Sequence, residues 1–283
     1  MKDVIAPGTL LEQVASGFTF TEGPIWEEAT QSLIFSDIAE SIQYRWSEAG
    51  GTTVFRRPSN QANGNCFDLE GRVLSCEHAS SQVIRHDHGG KLVTVLAREY
   101  DGRALNSPND IICDSRGRVW FTDPSFGRLR EDLGILRDQE LPFQGVFRLD
   151  PDGTLTLVAE DFQQPNGLCL SIDEARLFVN DSWAGTIRVF DVNPDGTLSG
   201  GAVWTVVAGE GEGVPDGMKT DAAGRIFCNG PGGVHVFDRQ AQHLGVIATP
   251  EKSTNFCFGG PDLSLLFITA STSVYRIATL TQP

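Results

Sequence analysis

Short apolar runs recur along this chain in pairs, each pair hinged on a polar turn. The segments SPNDIICDSRGRVWFTDP (107–124), QPNGLCLSIDEARLFVNDS (164–182) and VPDGMKTDAAGRIFCNG (214–230) share one form. Each opens on Pro followed by Asn or Asp. An apolar run, an Asp-centred turn and a second apolar run ending in a polar residue follow. NGNCFDLEGRVLSCEH (63–78), EGPIWEEATQSLIFSD (22–37) and NFCFGGPDLSLLFITAS (255–271) have the same form without the leading Pro. Runs this short, bounded by Gly, Pro, Asn and Asp, predict strands rather than helices.

The opening polar residues are Glu22, Asn63, Asn109, Asn166, Asp216 and Asn255, spaced by 41, 46, 57, 50 and 39 residues. Such periods, with several short strands in each, predict propeller blades. In the fourth repeat the strands read GLCLSI, RLFVND, GTIRVFDV and a last one near AVWTVVA. The 29 residues from Asn255 to the end and the 21 before Glu22 together make one further period. The pattern therefore predicts an all-β, six-bladed β-propeller, a single domain over residues 1–283. Its last blade is closed by an N-terminal strand, which leaves no open sheet edge there.

Strands within a blade run antiparallel, so the start of the first and the end of the second share a face. Glu22, Asn63, Asn109, Asn166, Asp216 and Asn255 then ring the axis at one end. Asp37, His78, Asp123, Asp181, Asn229 and Ala270, thirteen to fifteen residues later, form a second ring around them. The long third spacing predicts an extended loop over roughly residues 124–145, opening on the same face as a candidate lid. Any one Asn or Asp before a strand can simply satisfy turn amides. Six in one register call for another account. Two carboxylates close together in a channel repel and are costly to desolvate, and a bound cation removes that cost. Glu22, Asn109, Asn166 and Asp216 offer only oxygen, which suits Ca²⁺ best, then Mg²⁺ or Mn²⁺, with Zn²⁺ less favoured.

Composition narrows the function classes. The net charge of −15 disfavours nucleic acid as a partner. No segment approaches a membrane span, and the first residues lack the apolar run of a signal peptide, so a cytoplasmic protein without membrane association is expected. The six cysteines contain no C-x-x-C pair and sit in apolar runs, as buried thiols do, although Cys66 and Cys76 flank one turn closely enough to admit a disulfide. His86 and His88 have metal-like spacing but fall on a turn at the opposite end. There is no G-x-S-x-G elbow, and GEGEGV (209–214) lacks the β-α context of a dinucleotide site.

Taken together, Glu22-Gly-Pro-Ile-Trp26, Asn106-Ser-Pro-Asn-Asp110, Phe121-Thr-Asp-Pro124, Pro165-Asn-Gly167 and Pro215-Asp-Gly-Met218 resemble the SMP-30, gluconolactonase and luciferin-regenerating-enzyme family. The resemblance spans nearly the whole chain and implies a six-bladed propeller with one divalent metal in its central tunnel. It implies that Glu22, Asn166 and Asp216 are metal ligands, that Asn109 binds metal or substrate, and that Asp216 is also the catalytic base. The animal branch has Arg-x-Asn-Asp where this chain has Ser107-Pro-Asn-Asp110, so that arginine's substrate contact has no counterpart. The form looks more like the microbial sugar-lactonase branch.

The expected activity is hydrolysis of a small sugar lactone. The metal would polarise the carbonyl and Asp216 would activate water. Asn63, His78, Asn106, Asn109, Asp123 and Asp181 are the expected substrate contacts. A phosphotriester hydrolase on the same ligands, or a non-enzymatic calcium-binding propeller, are the alternatives. The lactone, its ring size and the oligomeric state stay open.

Overall fold

The computed structural model describes residues 1–87 and 89–283; the expectation about His88 lies outside the described residues. Among these residues are six four-stranded antiparallel sheets and one two-stranded hairpin, Glu99–Tyr100 with Arg103–Ala104. The sheets follow one another along the chain as the repeats predict. Blade 4, for example, is Pro165–Leu170, Arg176–Asp181, Thr186–Val192 and Leu198–Val206. The inner strands of neighbouring blades touch in sequence, and that of blade 6, Ser253–Gly259, returns to that of blade 1, Thr21–Glu27. This closes the ring as a six-bladed propeller.

The closure uses the N-terminus, as the periodicity requires. Glu12–Ser16 is the outer strand of blade 6 and pairs antiparallel with Ser273–Ala278, Gln13 opposite Tyr275 and Ser16 opposite Ser273. Arg276 Nε donates to Glu12 Oε2 at 2.8 Å across this pair.

Within the blades a repeated turn sets the register at the end away from the polar rings. In blade 2, Asp68 Oδ1 accepts the amides of Glu70 and Arg72, each at 2.9 Å, while Oδ2 accepts Arg72 Nε at 2.7 Å. Asp114 with Arg118 and Asp221 with Arg225 repeat the arrangement in blades 3 and 5. The Asp side chain thus replaces main-chain partners that a tight turn lacks. Between blades the packing is apolar. Six hydrophobic clusters among the described residues each span two adjacent sheets, such as Trp120 and Val146 of blade 3 against Leu168, Leu177 and Val179 of blade 4. The cysteines contribute to these cores as free thiols, so Cys66 and Cys76 are not bridged: Cys66 faces Leu74 across its hairpin.

The long loop of blade 3 lies between Val119–Asp123 and Gln144–Leu149 and contains one helical turn, Phe126–Leu129.

Candidate active site

Six inner-ring residues are gathered at one mouth of the tunnel because the inner strands are broken there. The pairing of the first two strands slips between Glu22 and Ile25, between Ala62 and Asn65, between Pro165 and Leu168, and between Ser253 and Asn255. Bulges of this kind turn a side chain out of the sheet plane and recur beside functional sites. Here they aim Glu22, Asn63, Asn166 and Asn255 away from their own sheets.

The glycine that follows most ring residues has a packing reason. A Cβ on Gly23 would lie 2.0 Å from the carbonyl oxygen of Asn63, and one on Gly167 would lie 2.0 Å from that of Asp216. Each of these glycines therefore receives the main chain of the next blade's ring residue. Gly64 makes the same close approach to Asn109 O, whereas Gly217 receives chiefly the side-chain amide of Asn255. The Glu-Gly, Asn-Gly and Asp-Gly pairs seen in the sequence are thus the means by which the ring becomes tight.

Above this ring lies a small pocket of about 70 Å³. Glu22, Asn63, Asn109, Asn166 and Asp216 line it, joined by His78 from the second ring. Phe20, Ile38 and Val214 supply apolar wall, Phe126, Arg130 and Leu133 come from the long loop, and Lys252 precedes blade 6. Glu22, Asn109, Asn166 and Asp216 are each at most 6% exposed.

The electrostatics of the floor are strained. Burial, then the charge of Asp110, raises the Glu22 pKa to about 7. Asp216 is pushed well above the usual carboxylate range by burial and then by Glu22. Asn166 donates from Nδ2 to Ser182 Oγ at 3.1 Å, and Glu22 Oε2 accepts the Gly23 amide at 2.7 Å. Among the described residues no point gathers three or more His, Cys, Asp or Glu. The donors are two carboxylates and the amides of Asn109 and Asn166, hard oxygen only. Mutually repelling buried carboxylates beside amides fit a hard divalent cation.

His78 is held neutral. Burial lowers its pKa to about 4, and its Nδ1 lies 2.7 Å from the carbonyl oxygen of Leu133, which fixes the proton there. Its Nε2 then accepts from Asn63 Nδ2 at 3.2 Å, leaving Asn63 Oδ1 buried without a partner. Of this pair, Asn63 is the one with a free acceptor.

Other expected substrate contacts are placed differently. Asp181 accepts the amides of Gln163, Gln164, Trp183 and Ala184. Asp123 Oδ2 accepts the Asn106 amide at 2.8 Å, and Asn106 Nδ2 donates to the carbonyls of Asp123 and Phe143. None of the three lines the pocket. Asp37 shows the same pattern, with the amides of Thr19 and Phe20 at 2.9 Å. Three aspartates of the second ring, Asp37, Asp123 and Asp181, thus secure the chain just before it enters the inner strands of their blades, where main-chain amides have no sheet partner.

Sequence reasoning missed Arg130, Lys252, Phe20 and Phe126. Lys252 was within reach, since it stands three residues before Asn255 on a loop that opens to this face. It also missed a deeper layer of the tunnel. Asp110 is buried there with Oδ2 unpartnered, and Lys219 Nζ lies 3.4 Å from Asn255 Oδ1.

The fold and this site define a six-bladed propeller with a carboxylate–amide centre at one end of its axis. The chain belongs to the SMP-30/Gluconolactonase/LRE-like family, whose model matches residues 20–272. It is similar to a gluconolactonase of Zymomonas mobilis, 31% identical over 299 residues that cover 98% of this chain and 83% of the relative. It is 28% identical to the pentonolactonase XacC of Haloferax volcanii, over 93% of this chain and 85% of that one. Among solved structures, a gluconolactonase of Xanthomonas campestris superposes with a TM-score of 0.90 at 34% identity, covering 98% of this chain and 91% of that chain.

Proposed function

We propose that this protein is a cation-dependent lactonase that opens a small sugar lactone to its aldonic acid. One observation carries the reading. Glu22 and Asp216, two buried carboxylates that hold each other's charge at a cost, form the floor of the pocket together with two amide oxygens. The family and the lactonases among its members support the reaction class.

Glu22, Asn109, Asn166 and Asp216 would hold one divalent ion, Ca²⁺ before Mg²⁺, Mn²⁺ or Zn²⁺. When bound, such an ion supplies a Lewis acid for the lactone carbonyl and a counter-charge for the tetrahedral oxyanion. Asp216, ionised, accepts a proton from the attacking water as the new C–O bond forms. The ring C–O bond then breaks, and the ring oxygen leaves as a hydroxyl by taking the proton back from Asp216. Asn63 Oδ1 offers an acceptor to a sugar hydroxyl, and Phe20, Ile38 and Phe126 cover the apolar edge of the ring. The propeller works as one unit, and a cytoplasmic location suits a small soluble metabolite.

The test is a panel of sugar lactones, read by acid release, on chelated protein resupplied with single metals. Activity that returns with Ca²⁺ or another hard cation supports the reading; activity indifferent to chelation removes the cation from it. Asp216→Asn should lose about 10²–10⁴ in rate even at saturating metal, the usual scale for a general base. Full recovery with metal would place the base elsewhere.

A further inference from the structure

Two cations face the pocket of a protein whose net charge is −15. Lys252 comes from the loop before blade 6. Among the described residues its Nζ makes no ion pair; it lies over the face of Phe20, 5.9 Å from the ring centroid, and its charge reaches Asp216. Arg130 comes from the long loop of blade 3. Its guanidinium pairs with Asp132 alone, through Nε at 3.0 Å and a second contact from Nη2, with both side chains 53% exposed. An exposed pair of this kind is worth about 0–1 kcal/mol, so it exchanges readily for a ligand anion.

The loop that carries Arg130 is well anchored. Arg128 donates from Nε to the carbonyl of Asn106 at 2.9 Å, and Arg137 donates to the carbonyls of Ala79 and His78 at 3.0 and 3.1 Å. His78 Nδ1 holds Leu133 O, and the Leu133 amide donates to Arg130 O at 3.2 Å. Arg130 is therefore held over the mouth on a braced segment.

The other charges nearby sit deeper than the rim. Lys219 lies deeper, beside Asn255 and Asp110, and Glu22 and Asp216 make up the floor. Lys252 makes no ion pair among the described residues, but its charge acts on Asp216 across the pocket and lowers that carboxyl's pKa. An acidic protein repels anionic substrates at long range, and positive charge at the pocket rim offsets that repulsion locally.

We propose that the lactone this protein opens carries an anionic substituent, a carboxylate or a phosphate, which Lys252 and Arg130 bind at the pocket rim. This rests on the lactonase reading and sharpens it: neutral lactones become the poorer substrates.

The experiment compares three probes on the cation-loaded protein: D-glucono-δ-lactone, the same lactone phosphorylated at its terminal hydroxyl, and the aldarolactone with a terminal carboxylate. One charge-assisted contact predicts that kcat/KM for an anionic lactone exceeds that for the neutral one by about tenfold or more. The better of the two anions identifies the substituent. Lys252→Met should collapse that ratio through KM, Lys252→Arg should keep it, and Arg130→Met should reduce it less. A wild-type ratio at or below one overturns the proposal. So does a Lys252→Met variant whose kcat falls equally on all three lactones, since Lys252 would then serve the reaction itself. A second readout needs no turnover. By calorimetry, phosphogluconate should bind about tenfold tighter than gluconate, and lose that margin in Lys252→Met. If no lactone is opened yet this binding difference holds, the anion site stands and the lactonase reading falls. If lactones are opened and the margin is absent, the anion site falls alone.

Discussion

Nδ2 of Asn63 lies 3.2 Å from Nε2 of His78, and this contact decides which way the asparagine presents its oxygen. His78 is itself oriented by Leu133 O, so a residue of the long blade 3 loop reaches the pocket floor through one imidazole. With both ring nitrogens engaged, His78 serves as a positioning residue. His78→Gln should raise KM several-fold, on the order of one lost hydrogen bond, with a smaller change in kcat. The pH–rate profile should keep its shape, because a ring neutral down to about 4 contributes no inflection near neutrality. Disappearance of an inflection in the variant would mean that the ring moves a proton after all.

Gly167 tests how far the ring depends on close packing. Its missing Cβ would sit 2.0 Å from Asp216 O, a main-chain atom that cannot swing aside. Gly167→Ala should destabilise the fold by about 1–3 kcal/mol, the usual cost of overpacking. It should also weaken metal binding by displacing Asp216. Gly185→Ala is the control, since a Cβ there meets nothing within 4 Å, although its φ of +70° carries local strain. Calorimetric metal titration separates the two effects. Equal metal affinity in both variants would show that Asp216 tolerates the shift.

How much was readable before the fold was known follows from the same details. The six-blade count, the N-terminal closure and the inner ring were legible because each blade repeats one register, and Glu22 and Asp216 fall at matched positions. The roles of the second ring were not. Asp123 and Asp181 occupy the expected positions, but their oxygens face main-chain amides at the blade entrances, and a side chain's direction at a strand end leaves no trace in spacing. His78 is expected from the sequence as a substrate contact, yet its tautomer depends on Leu133, 55 residues away. Arg130 belongs to a loop outside the repeat, so periodicity could not find it, whereas Lys252 could be placed from its position three residues before Asn255.

Closure by Glu12–Ser16 predicts what truncation does. Without it, Ser273–Ala278 becomes an exposed edge, and Val4, fully buried between blades 5 and 6, is lost with it. Removing residues 1–16 should yield protein that self-associates, because an unpaired strand edge is a template for pairing. Light scattering should show particles growing with concentration, and the synthetic segment added back should suppress them. A monodisperse truncated protein with an unchanged melting temperature would mean that the closing strand contributes little.

The buried titrating groups give opposite pH slopes, and metal should separate them. Glu22 has a folded pKa of about 7 against an ordinary 4.5, so between those values the folded state holds the extra proton. Stability then falls as pH rises through that window. Asp123, raised to about 7 by burial, has the same sign. His78 and His86 run the other way: with folded pKa values near 4 against 6.5, their neutral forms favour the fold above pH 6.5, and that contribution is lost as pH falls towards 4. The chelated protein should therefore melt highest at mildly acidic pH and lose stability on either side. Cation binding favours ionised Glu22 and Asp216, so it should release protons at neutral pH and tighten as pH rises. With Ca²⁺ bound, the loss on the alkaline side should shrink to the share of Asp123 and of Asp110, which burial also raises, while the acid limb is unchanged. Asp123→Asn should lessen what remains. Melting curves from pH 4 to 9, with chelator and with Ca²⁺, would check this, and an alkaline limb that ignores the cation would separate Glu22 from the metal site.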